Sequence, residues 1–243
     1  MTTSTLRRIV TKTLVAALVL TLFTALTVET TNAKCPAAAR SAPAQDIAFA
    51  GAPAQLPLIE RTSAAAIPVW KTITIGSYKN VDAVRAAVDA SPCAIALGDW
   101  ADEIMGRPGF AFSRKEAELD LVVVSVAELG FGEQGGARRD IYARASAIGL
   151  ELCPPEAGPI LRLVYLDQPS GEFLHVAMRP VARYSGELVD FTLGNGGAEL
   201  ILVGGDARPE VVLPGAVRLV FVRPRLDAIG RTAPDANDAL VKR

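Results

Sequence analysis

Between Leu119 and Ala127 the chain reads Leu-Asp-Leu-Val-Val-Val-Ser-Val-Ala, a nearly unbroken β-branched run. Such a run has no polar face to give to water, so it predicts a central strand with apolar neighbours on both sides. The rest of the chain must supply that cover. Trp70 to Ile75 alternates apolar and polar side chains, as a strand does. Asn80 is placed to cap a helix that carries Val81, Val84 and Val88 on one face. A second, shorter helix is expected from Asp99 to Gly106, ahead of Pro108. A third is expected over Arg138 to Ile148, with Ile141, Ala145 and Ile148 on one side and Gly149 as its stop.

After Pro159 the pattern turns to hairpins. Leu161–Leu166 and Phe173–Arg179 flank the loop Asp167 to Glu172. Leu188–Leu193 and Glu199–Val203 flank Gly194-Asn195-Gly196-Gly197, a turn tolerant of positive φ. Val217–Arg223 reads as a last strand. Helices come early and antiparallel strands late, so the expected fold is α+β: a single domain, a mostly antiparallel sheet with two or three helices packed on one face. Its expected limits are 69–225. The stretch 34–68 reads as an Ala/Pro-rich linker, and 226–243 as a flexible tail.

Residues 1–33 have the plan of an export signal. Arg7, Arg8 and Lys12 precede an apolar run from Leu14 to Leu26, and Thr31-Asn32-Ala33 supplies small residues for cleavage. The run is shorter than the ~20 residues a spanning helix needs. The expected address is therefore periplasmic or secreted, with membrane contact only through the signal if it stays uncleaved as an inner-membrane anchor. Attachment through Cys35 as a lipoprotein is opposed by Lys34, where a small residue is required.

Half of the residues are hydrophobic, enough for a packed core, and 25 basic residues stand against 26 acidic ones. The charges are interspersed. No basic stripe is available to neutralise phosphates, so nucleic acid is excluded as the expected partner. Aromatic residues make up only 6 %, which offers few flat platforms for sugars. Three cysteines leave an odd thiol in an exported chain. Cys93 and Cys153 are the best candidates for a disulfide, whose loop would contribute about 4 kcal/mol in the chain-entropy model. The alternative is that both are small buried hydrophobes.

Several groups invite a chemical reading. Gly130-Phe131-Gly132-Glu133-Gln134-Gly135 has the G-x-G-x-x-G spacing of a dinucleotide loop, after a strand and before a helix. No second βαβ unit follows, and Gly136 and Ala137 stand where a phosphate loop needs Lys and Ser/Thr, so no cofactor is expected. Asp99, Asp102 and Glu103 suit the start of a helix better than a metal site. His175 is the sole histidine, which rules out a two-histidine metal centre. In the simplest hairpin register Arg162, Phe173 and His175 share one face, and they are the candidate binding residues. Cys153 in Cys153-Pro154-Pro155-Glu156 has no adjacent base. Glu128 with Glu151 or Glu156 is the candidate catalytic carboxylate pair.

Gly98-Asp99-Trp100-Ala101, Val124 to Phe131, Gly149 to Pro154, Leu161-Arg162-Leu163 and Asp167-Gln168-Pro169 together resemble a family of uncharacterised bacterial proteins. The likeness covers about 70–225. It implies no activity, but it does imply a fold that needs no oxidising compartment, which weakens the case for the disulfide. The expected function is a non-catalytic exported module that binds a protein or envelope component. The alternative is a small hydrolase of an envelope polymer that uses a carboxylate pair.

Overall fold

The computed structural model describes residues 62–225; the expected signal, most of the linker and the tail lie outside them. Among the described residues ten strands and four helices follow in chain order. The strands are β1 (Lys71–Ile75), β2 (Ile95–Leu97), β3 (Ala117–Ser125), β4 (Gly136–Ala137), β5 (Phe173–Val176), β6 (Val181–Ala182), β7 (Leu188–Asn195), β8 (Leu200–Asp206), β9 (Val212–Leu213) and β10 (Arg218–Val222). The helices are α1 (Val81–Asp89), α2 (Asp99–Met105), α3 (Arg138–Ala147) and α4 (Ala157–Val164). None of the described helices is long and apolar enough to cross a membrane. This is the expected α+β domain.

The main sheet runs β1-β3-β10-β5-β7-β8-β2, with β6 beside the start of β7. It is antiparallel except where β10 meets β5 and where β2 meets β8. The run around Val122 sits inside it, between β1 and β10, as its composition requires. Alternate residues divide between two cores. Leu121, Val220 and Val222 face one, together with Val84 of α1, Ile104 of α2 and Ile160 and Leu161 of α4. Val122, Val124, Leu219 and Phe221 face the other, with Ile141 and Ala145 of α3. Three helices thus share one face, and the fourth covers part of the opposite face.

Asn80 caps α1 as expected, its Oδ1 accepting from Ala83 N at 2.9 Å. Gly149 ends the α3 region at φ 91°. The hairpin expected from Leu161 is not formed. Residues 157–164 are helical instead, so Leu161–Leu166 is no strand. Pro159 sits in the first turn, where its missing N–H costs nothing, and Ile160, Leu161 and Val164 recur at helical spacing. The partner of β5 is β7 on one side and β10 on the other.

The folded unit also begins before residue 69. Ser63 caps a short turn Ala64–Ala66, Ala64 N donates to Ile148 O at 2.7 Å, and Ile67 is buried.

Candidate functional site

The groups singled out in the sequence are mostly committed to holding the fold. Arg162 is not on the face of β5 with His175. It projects from α4 and is fully buried, its guanidinium donating to Gln168 Oε1, Gly194 O and Tyr165 O. Burial pulls its pKa down, to about 10. Phe173 and His175 do share a face of β5, while Leu174 and Val176 go into the core. Phe173 is half exposed, and its ring lies over Gly194.

Of the carboxylates expected to form a hydrolytic pair, Glu128 and Glu156 are tied to backbone, whereas Glu151 is exposed. Glu128 Oε2 accepts from Ser125 N at 2.9 Å and from Ser125 Oγ at 3.0 Å. Glu156 is completely buried, with Oε1 accepting from Ser113 N at 2.8 Å and Oε2 from Gly76 N at 3.2 Å. It clamps the turn after β1 to the segment before β3. Each group accepts from backbone N–H donors that would otherwise need another partner.

Cys93 and Cys153 are not joined to each other. Cys153 is a free thiol, buried, with Sγ donating to Val220 O at 3.4 Å, whereas Cys93 is disulfide-bonded. Burial pushes the Cys153 thiol up to about 12, so it is no nucleophile at neutral pH. Among the described residues no three His, Cys, Asp or Glu side chains gather as metal ligands.

The glycine motif has a structural occupant. A Cβ at Gly135, where φ is +74°, would lie 1.9 Å from Leu213 O. The close backbone approach that a pyrophosphate would use is filled by the protein's own segment before Pro214.

Two features were not legible from single motifs. The first is a polar cluster under the start of α3. Arg138 N and Arg139 N donate to Val211 O and Pro209 O, which docks the helix start on the β9 segment. The Arg138 side chain then reaches over the sheet, donating to the Asp190 carboxylate, to Tyr142 Oη at 3.2 Å and to Asp206 O at 2.7 Å. Arg138 and Asp190 are both buried, and Arg138 Nε and Asp190 Oδ1 have no partner. Thr192, two residues along β7, meets His175 Nδ1 at 3.1 Å. Burial, and then the Arg138 charge, depress His175 to about 4, so it is neutral at physiological pH.

The second is an aromatic and arginine surface. α2 crosses β8 where Gly204 leaves room: a Cβ there would lie 2.6 Å from Trp100 Cβ. Trp100 is thereby held at the surface, 39 % exposed, with the Arg183 guanidinium over its ring at 4.5 Å. Tyr184, 78 % exposed, carries Arg107 over its ring at 3.8 Å. Glu103 fixes both halves, pairing with Arg183 at 2.8 Å and accepting from Tyr184 N at 2.7 Å. The Tyr184 amide and then Arg183 draw the Glu103 pKa down, so it stays ionised. A cleft of about 250 Å³ beside it is lined by Trp100, Glu187, Leu188, Asp206 and Arg208. Asp206 links the two features, because its carbonyl receives Arg138 from below while its carboxylate holds Arg208 at 2.7 Å on the outside.

In the sequence Trp100 stands out only within Gly98-Asp99-Trp100-Ala101, next to the acidic residues that start α2. Tyr184 gave no signal, because a tyrosine in a polar turn resembles any other. Comparison with protein families, with curated proteins and with solved structures finds no match for this chain.

Proposed function

We propose that the protein is a non-catalytic module, exported through its N-terminal signal, that binds a protein component of the cell envelope through the Trp100–Tyr184 surface. The observation that carries the reading is Tyr184. A large aromatic ring stands 78 % exposed at a turn, yet it lies under the Arg107 guanidinium and its backbone amide is held by Glu103. Tryptophan, tyrosine and arginine are the residues that dominate protein–protein hot spots, and side chains already fixed lose little entropy when they dock. The candidate catalytic groups support the same reading from the other side, since Glu128 and Glu156 hold backbone amides and Cys153 is buried.

A photo-reactive residue at Tyr184, in the full chain expressed in its own cells, tests the surface. A protein adduct is expected at Tyr184 but not at the exposed Val212, and it should be lost with Trp100→Ala. Equal adducts at both positions, or none at Tyr184, would overturn the surface. A reporter fused behind Ala33 tests export separately; retention inside the cell would remove that part of the proposal.

A further inference from the structure

On the other face of the sheet a cavity of about 330 Å³ opens between α3, the link 150–152, the residue after Met178 and β10. Its lining includes Tyr142, Ser146, Leu150, Glu151, Arg179 and Phe221. The floor is apolar: the half-buried Tyr142 and Leu152 pack on the core that holds the buried Leu150 and Phe221, and Tyr142 meets Phe221 edge-on at 6.0 Å. Tyr142 is also fixed from behind by Arg138. Small-molecule sites span roughly 300–1,000 Å³, so this one admits only a small ligand.

Arg179 and Glu151 bring opposite charges to the same lining, both residues are exposed, and among the described residues neither side chain has an ion-pair or hydrogen-bond partner. They are not paired with each other either. The backbone of Glu151 is occupied by Val222, with Glu151 N donating to Val222 O at 2.9 Å and Val222 N to Glu151 O at 2.9 Å, so that segment is pinned while its carboxylate is not spent. A ligand of one charge would be drawn by one of these side chains and repelled by the other. A ligand carrying both charges satisfies both, and an apolar substituent on it covers the floor.

We propose that this cavity binds a small zwitterion of the α-amino-acid class with an apolar side chain. Its carboxylate faces Arg179, its ammonium faces Glu151, and its side chain lies against the half-buried Tyr142 and Leu152. The site is separate from the Trp100–Tyr184 surface and does not depend on it.

Titration calorimetry of the full chain with L-leucine tests the assignment, alongside 4-methylpentanoate, which lacks the ammonium, and 3-methylbutylamine, which lacks the carboxylate. Leucine is expected to bind with a dissociation constant on the order of 0.1–1 mM, and each truncated probe at least about tenfold more weakly. Arg179→Ala should weaken leucine about tenfold and leave the amine unchanged or improved; Glu151→Gln should weaken leucine and leave the acid unchanged or improved. Both residues are exposed, so an unaltered unfolding midpoint shows that each variant is folded. Trp100→Ala should bind leucine as the parent does. No heat with leucine up to about 10 mM, equal binding of the three probes, or full leucine binding by either lining variant would overturn the proposal.

Discussion

Arg138, in the first turn of α3, meets Asp190, in the middle of β7, in a space closed to solvent on both sides of the pair. Burial pushes the Asp190 carboxyl up, to about 7, against the pull of the guanidinium. Removing one partner strands the other. Arg138→Met and Asp190→Leu should each destabilise the domain by roughly 3–5 kcal/mol, and the double variant should recover most of that loss. Urea unfolding of the four proteins measures the coupling. Additive losses would show that the pair does not act as a unit.

His175 sets a second expectation, in pH. Its folded value is about 4, depressed by burial and then by Arg138, against an ordinary value of 6.5. Between those values the unfolded chain binds a proton that the folded chain refuses, so this contribution makes stability rise with pH and level off above 6.5. Asp190 acts with the opposite sign, because its raised carboxyl loses stabilisation as pH rises toward 7. The difference between parent and His175→Gln isolates the histidine. It should grow from pH 4 to 6.5 by up to roughly 3 kcal/mol, and a flat difference would refute the assignment.

The Cys153 thiol should be silent in the native state. A maleimide at pH 8 is expected to leave the Cys153 peptide unmodified in native protein and to label it fully in urea, as read by mass spectrometry. Native labelling at the rate of a free thiol would contradict its burial.

Glu156 should matter more than any exposed carboxylate. Glu156→Ala orphans the amides of Gly76 and Ser113, and a cost of about 2–4 kcal/mol is expected. Hydrogen exchange gives the local signature: those two amides should exchange faster than their neighbours.

The glycine run can be dissected in the same way. At Gly135 an added Cβ strikes Leu213 O, whereas at Gly132 it meets nothing within 4 Å, although both have positive φ. Gly132→Ala should therefore cost only the penalty of its glycine-favoured backbone, φ 62° and ψ −164°, roughly 1–3 kcal/mol, and Gly135→Ala clearly more. Equal unfolding midpoints for the two variants would count against the close approach.

What sequence exposes here is local. The run around Val122, the Asn80 cap and the Arg138–Ile148 periodicity each announce their element, because the cause lies within a few neighbouring residues. α4 was hidden because Pro-Ile-Leu-Arg-Leu-Val-Tyr-Leu satisfies strand alternation as well as a helical stripe, and Pro159 counts against a helix unless the first turn is known to start at Ala157. The short β2 carries too few residues for any period. The polar cluster was hidden for another reason: Arg138 and Asp190 stand 52 residues apart, and only the docking of α3 on the sheet brings them together. Within β7 the alternation of Asp190 and Thr192 with Val189, Phe191 and Leu193 did carry a trace of it, a polar stripe on a strand whose other side is core.

One contact at the boundary of the domain has an engineering consequence. Arg223 Nη1 donates to Ile67 O at 2.9 Å, so the first and last segments of the folded unit leave from the same corner. Ends that close need only a short splice to be closed into a ring, and new termini can then be opened at a distant turn such as the one holding Gly171. For the same reason the unit suits insertion into a loop of a host protein, where it would hang as a side domain without prising the two flanks apart.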